Sequence, residues 1–280
     1  MTILSGSERW PTIHKTVPAL RVMPNLVDYD ATCGSFSWEE ERKSLSGLPG
    51  GGGMNIAYEA VDRHATGPLA AKDALRFVHL DGTVDALTYE ELAERTDRFA
   101  SVLRDLGVGR GERVFSILGR CVELYVAALG TLKNASVFSP LFSAFGPEPV
   151  RPRMKLGSAR VLVTTRALYS KKVAPIRDDL ATLEHVLLVD GEDDAQRLEG
   201  TLDLHTLMRD APPTTPIART DGDDMALLHF TSGTTGLPKG AIHVHDAVVA
   251  HAATGRFALD LHPDDVYWCT ADPGWVTGMS

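Results

Sequence analysis

Apolar runs of strand length alternate with stretches of helical spacing between Thr88 and Val189, and this alternation restricts the fold more than any other feature of the chain. Thr88-Tyr89-Glu90-Glu91 has the capping-box pattern, with Leu92, Phe99, Leu103 and Leu106 at helical spacings behind it and Gly107 as the stop. These residues predict an amphipathic helix. An apolar run follows at Val114 to Leu118, then a helical stretch around Leu124, Ala128 and Leu132, then further apolar runs at Val161 to Val163 and Val186 to Val189. Strands that alternate with helices imply an α/β fold of layered, mostly parallel sheets with helices packed on them. With 280 residues the chain can fill one large or two ordinary domains, and it shows no internal repeat.

Charge narrows the partners. Twenty-eight Lys and Arg against 37 Asp and Glu give a net charge of -9, so the summed field repels nucleic acid and anionic membrane surfaces, and a polyanion must be held by a local site. Met1 to Trp10 lacks an apolar core, and no run approaches the roughly 18 apolar residues of a spanning helix. Cys33, Cys121 and Cys269 lie far apart with no CxxC spacing, which signals neither a disulfide framework nor a zinc site. A soluble protein of the reducing cytoplasm is expected, with no nucleic-acid and no membrane partner.

Three parts are expected along the chain: residues 1–65, 66–210 and 211–280. The first reads as an extended stretch and a short helix joined by a flexible glycine run at Gly50-Gly51-Gly52-Gly53. No strand precedes that run and no Lys with Ser or Thr follows it, so a linker is expected rather than a phosphate cradle. The second part is the first α/β subdomain. Pro212, Pro213 and Pro216 among Thr, Asp and Gly mark the surface connection to the third. There, Met225 to Phe230 reads as a buried strand, Asp246 as the cap of a helix carrying Val248, Val249, Ala252 and Ala253, and Val266-Tyr267-Trp268-Cys269 as a last strand ending in the turn Ala271-Asp272-Pro273-Gly274.

The stretch richest in chemistry follows the strand at Met225: Thr231-Ser232-Gly233-Thr234-Thr235-Gly236-Leu237-Pro238-Lys239-Gly240. Glycines let backbone N–H groups approach a phosphate, hydroxyls add donors, and Lys239 supplies a point charge. A Walker A loop is the rival, but Pro238 precedes the lysine, and Gly240 stands where that motif carries its magnesium-binding hydroxyl.

Phe230 to Gly240 resembles the phosphate loop of the adenylate-forming superfamily. Tyr267 to Gly278 is similar to the AMP-forming acetyl-CoA synthetases within it, as are Asn55 to His64 and the sheet-edge loop Ser139 to Gly146. The resemblance implies the N-terminal part of that family's large domain and a two-step reaction. A carboxylate attacks the α-phosphate of ATP, releasing pyrophosphate, and the thiol of CoA then attacks the acyl carbon, releasing AMP. Both nucleophiles come from substrates, so no Ser-His-Asp constellation is required. By the same resemblance Thr231, Ser232, Gly233, Thr234, Thr235, Gly236 and Lys239 hold the phosphates, with Lys239 assisting catalysis. Trp275, Val276 and Thr277 border the carboxylate pocket. ATP, CoA and Mg2+ are the implied small molecules, the metal riding on phosphate oxygens and water. Acetate is the leading acid over propionate. The family's pattern continues beyond Ser280, so the 280 residues alone are expected not to complete the reaction, and a non-catalytic remnant and a phosphate-loop NTPase stand as alternatives.

Three weaker clusters have plainer expectations. His243 and His245 share a face if their segment is a strand, but no third ligand is near in sequence and no metal site is expected. Lys171, Lys172 and Arg177 read as a solvated charged face, and Asp190 to Asp194 as an acidic loop.

Overall fold

The computed structural model describes residues 22–191, 198–231 and 237–279. Two short helices come first, α1 (Tyr29–Ser35) and α2 (Trp38–Lys43), where an extended stretch was expected. Their caps explain the difference: Asp28 accepts from Ala31 N–H and Ser37 from Glu39 N–H, and α2 carries Glu39 to Glu41 in its first turn and Arg42 and Lys43 in its last. The glycine run that follows is a packed turn, not a free linker. Leu48 is buried, its N–H bonds Gly53 O at 2.7 Å, and Met54 N–H bonds Thr220 O at 2.9 Å. Gly53 has φ 98°, and a Cβ there would overlap Thr220 O, so only glycine fits.

Asn55 caps α3 (Ile56–Ala60) and, fully buried, donates Nδ2 to Leu132 O and Thr220 Oγ1. An antiparallel hairpin, β1 (Asp73–Val78) and β2 (Val84–Thr88), leads into α4 (Tyr89–Asp105). The capping box forms as the sequence predicts: Thr88 Oγ1 accepts from Glu91 N–H at 3.2 Å, and the Glu91 carboxylate accepts from Thr88 N–H at 2.9 Å. Thr88→Ala removes the first of these bonds, and a loss of about 1 kcal/mol in unfolding free energy is expected by urea denaturation.

The remaining strands form one sheet: β3 (Arg113–Ile117), β4 (Val137–Leu141), β5 (Ala159–Thr164), β6 (His185–Leu188), β7 (Leu202–Asp203), β8 (Met225–Thr231) and β9 (Lys239–Val244), in the seven-stranded order β7-β6-β5-β3-β4-β8-β9. All neighbours are parallel except β8 and β9. From β3 the chain runs through α5 (Val122–Lys133) to β4 on one side, then through α6 (Pro147–Leu156) back to β5 on the other. The two helices therefore lie on opposite faces, and each face has its own core. Val114, Phe138 and Val161 pack with Phe99, Leu103 and Leu124, while Phe115, Ile117 and Leu162 pack with Val150 and Met154. Val114 and Phe115 are adjacent, each 0% exposed and in different cores, as a central parallel strand requires. The other α-helices of the described residues are the single turn α7 (Arg166–Leu168), α8 (Leu204–Asp210), α9 (Ala247–Phe257) and the short α10 (Val276–Met279).

Two expected details differ. Val266 to Cys269 is not a strand: it joins no ladder among the described residues, and Val266 and Trp268 are 73% and 79% exposed. An apolar run supplies side chains for a strand but not the partner that pairs its backbone. Asp246 sits at the start of α9 but does not cap it with its side chain. Its φ of -63° is helical, and its carboxylate takes both guanidinium nitrogens of Arg42, with Nη1 at 2.6 Å from Oδ1.

Candidate functional site

Parallel strands end at one edge of a sheet, and here the ends of β3, β4 and β8 lie at the same edge. The polypeptide leaves β8 at Thr231 and returns as β9 at Lys239, with Thr231 paired directly to Lys239. The expected phosphate loop is thus the tip of a β-hairpin. Ser232, Gly233, Thr234, Thr235 and Gly236 lie outside the described residues. Thr231 and Lys239 frame the tip, and both are exposed. This arrangement removes the Walker reading, in which the lysine opens a helix. Here it opens an antiparallel strand.

The second component is the turn before α10. Asp272 Oδ1 accepts from Gly274 N–H at 2.8 Å, and Asp272 O accepts from Trp275 N–H at 2.9 Å. Gly274 lies against the loop after β4 so closely that a Cβ would overlap the Phe142 backbone. Trp275 then meets two rings of that loop, Phe142 at 5.5 Å and Phe145 at 6.5 Å between centroids, and Phe142 and Phe145 meet edge to face at 5.4 Å. Trp275 remains 46% exposed, with an accessible surface beside the aromatic pair. Val276 and Thr277 begin α10, and their side chains lie outside the description. Of the expected acid-site residues, Trp275 therefore has described side-chain neighbours, and they belong to the Ser139 to Gly146 segment that the sequence had singled out separately.

Sequence reasoning missed three contributors to this edge. Arg120, just beyond β3, donates Nη2 to Thr270 O and Ala271 O at 2.5 and 2.9 Å, tethering the Trp275 turn to the sheet. Lys172, expected on a solvated face, is 7% exposed and donates to Ser143 O and Phe145 O. Arg153 places its guanidinium 4.7 Å from the Phe145 ring centroid. Each acts on backbone carbonyls or a ring, contacts that leave no spacing in the sequence. Lys171, by contrast, is exposed as expected.

The histidines have structural partners. His245 is fully buried and accepts from Ile56 N–H at Nδ1, 3.1 Å, which joins the N-terminal segment to the end of β9. His243 meets His229 edge to face at 5.4 Å. Burial pushes the imidazoles of His229 and His245 down to about 4, so both are neutral near pH 7.

A family model described as AMP-binding enzyme matches residues 62–280. The chain belongs to the AMP-binding enzyme family. As a member, it is 39% identical over 266 residues to the acetyl-coenzyme A synthetase of Bacillus subtilis (strain 168), a match covering 94% of this chain and 45% of that protein. The acetyl-coenzyme A synthetase of Methanothrix thermoacetophila is 35% identical over 242 residues, covering 82% of this chain and 37% of that one. Among solved structures, the crystal structure of a Brucella canis acyl-CoA synthetase superposes with a TM-score of 0.78 at 31% identity, covering 90% of this chain and 44% of that one. The chain spans less than half the length of these curated relatives. The α/β architecture expected from the alternation of elements is the fold of this AMP-binding enzyme.

Proposed function

We propose that the protein carrying this chain is an AMP-forming acid-CoA ligase that activates acetate: the acid oxygen attacks the α-phosphate of ATP, pyrophosphate leaves, and the CoA thiol displaces AMP from the acyl carbon. The observation that carries the reading is the convergence of the Thr231–Lys239 hairpin and the Trp275 turn on one sheet edge. One feature offers donors for phosphates and the other an aromatic wall for a small apolar acyl group.

In this reading the chain's own groups bind and orient. Lys239 meets phosphate oxygens as a point charge, and Thr231 with the Ser232 to Gly236 loop adds hydroxyl and backbone donors. Trp275, with Val276 and Thr277, borders the acid. The protein supplies no nucleophile, so catalysis rests on holding the two reactants in line and stabilising charge on the phosphate. Mg2+ brings charge neutralisation with ATP. Mg2+ would ride on phosphate oxygens and water rather than in a protein cage. No helix among the described residues is long and apolar enough to cross a membrane. Cys33, Cys121 and Cys269 lie far apart in the sequence with no CxxC spacing, and on that usage we assign the protein to the cytoplasm.

Acid-dependent exchange of labelled pyrophosphate into ATP tests the reading. Exchange is expected with acetate and more weakly with propionate, and none without acid. ADP as product, or no exchange with either acid, would sink it.

A further inference from the structure

Two cations are buried behind the aromatic wall without a carboxylate. Lys172 and Arg153 are 7% and 8% exposed, and neither has a salt-bridge partner among the described residues, where most other buried or half-buried charges do. Burial pushes both groups below their usual range, the physical sign of a charge stripped of water. An apolar side chain at either place would fill the space without that penalty. Something polar must therefore be served there.

It is the loop after β4. Lys172 sits on the wide helical turn Tyr169–Val173 and donates Nζ to Ser143 O and, at 2.6 Å, to Phe145 O. Arg153, on α6, donates Nη1 to Pro149 O at 2.6 Å and covers the Phe145 ring, while its Nε has no partner. Between these two carbonyls the loop makes a tight turn, Phe145 N–H bonding Phe142 O at 3.0 Å. Trp275 and Gly274 pack on the same loop. The loop is thus held twice, by an ammonium that bonds its carbonyls and by the Trp275 turn that packs on its rings. A single ammonium that donates to two carbonyls fixes their direction, and with it the direction in which Phe142 and Phe145 project.

We propose that Lys172, supported by Arg153, is a positioning residue that sets the Phe142–Phe145 wall and through it the stance of Trp275, and so tunes affinity for the acid. The proposal rests on the reading that Trp275 borders the acid site. Lys172 touches no reacting atom in it.

The test uses Lys172→Met, nearly the same length but without a donor, and Lys172→Arg, which keeps the donors, in the protein carrying this chain. Trp275 emission is isolated by subtracting the spectrum of the same protein with Trp275→Phe. Lys172→Met is expected to raise KM for acetate about tenfold, the scale of one charge-assisted bond, while KM for ATP stays within about twofold. Its Trp275 emission is expected to shift to the red and become more open to acrylamide, and Lys172→Arg to recover most of both. Unchanged Trp275 emission overturns the proposal, as does an equal change in every kinetic constant with no recovery by arginine, which is the mark of a purely structural lysine. A Trp275 shift with unchanged KM for acetate upholds the positioning of Trp275 and overturns the acid-site reading alone. Should Lys172→Met fail to fold, Arg153→Gln carries the same measurements, since it frees the Phe145 ring and leaves the loop carbonyls bonded.

Discussion

Lys133→Met is expected to destabilise the protein by about 3 to 5 kcal/mol, the scale for removing one partner of a buried ion pair. Lys133 is 0% exposed and its Nζ lies 2.7 Å from both Asp62 Oδ1 and Asp97 Oδ1, with Ala93 O at 3.1 Å as a third acceptor. The three donors of the ammonium are all used. Asp62 follows α3, Asp97 lies on α4 and Lys133 ends α5, so one side chain ties three segments that share no backbone hydrogen bonds with one another. Methionine fills the volume but leaves two carboxylates facing each other away from water. Burial already holds the Asp62 carboxyl above the usual carboxylate range despite Lys133, and without the lysine it rises further. A raised folded-state pKa means the folded state binds more protons than the unfolded one, so this group's contribution falls as pH rises. The variant should therefore lose less stability at pH 5 than at pH 7.5. Urea titrations at the two pH values check this, and a loss below about 1 kcal/mol, or one independent of pH, would show that the triad is not the joint described. Lys133→Met combined with Asp62→Asn and Asp97→Asn should recover part of the loss, because no charge is then stranded.

What the sequence made legible follows from how local each cause is. The helix at Thr88 was readable because its cap, its periodicity and its glycine stop lie within one segment, and the strands β3, β5, β6 and β8 because a strand buried on both faces is predominantly apolar, with single polar residues such as Ser116 and His229 too few to hide it. Strand β4 escaped because Ser139 and Pro140 break that run. The structure accommodates both. On the β8 side β4 pairs in register only at Phe138 with Leu227, where Ser139 Oγ donates to Leu228 O at 2.7 Å in place of further ladder bonds. A proline that lacks a donor is tolerated where the ladder is already sparse. Strand β9 escaped for the opposite reason: it is an edge, its residues from Lys239 to Ile242 are exposed, and it has no alternation to read. At the site, the segment from Thr231 to Gly240 stood out by its glycine and hydroxyl composition, and that composition is what proposes it as a phosphate loop. The contacts of Arg120, Arg153 and Lys172 did not stand out, since a cation bonded to backbone carbonyls or laid over a ring has no charged partner in the sequence to be paired with.

Lys239→Ala is expected to slow formation of the acyl-adenylate by roughly 10- to 150-fold, the equivalent of about 1.5 to 3 kcal/mol for one charge-assisted hydrogen bond to phosphate. The hairpin determines why the effect should fall on chemistry and not on folding. Lys239 holds its place in β9 through backbone pairing with Thr231, which alanine preserves, and its side chain is exposed, so no core contact is lost. That exposure also bears on mechanism: a lysine standing at the rim of the Thr231–Lys239 tip meets no carboxylate within salt-bridge distance among the described residues, and its charge is available to a polyphosphate. In the proposed reading that charge acts on groups whose negative charge shifts as pyrophosphate departs, so the loss is expected mainly in the single-turnover rate, with a smaller rise in KM for ATP. Lys239→Arg keeps the charge but on a planar fork and should recover only part of the rate. Rapid-quench measurement of acyl-adenylate with saturating acetate and ATP, beside thermal denaturation of the same samples, separates the two outcomes. A melting temperature that falls with the rate would assign Lys239 to the hairpin's stability, and an unchanged rate would take it out of the phosphate site.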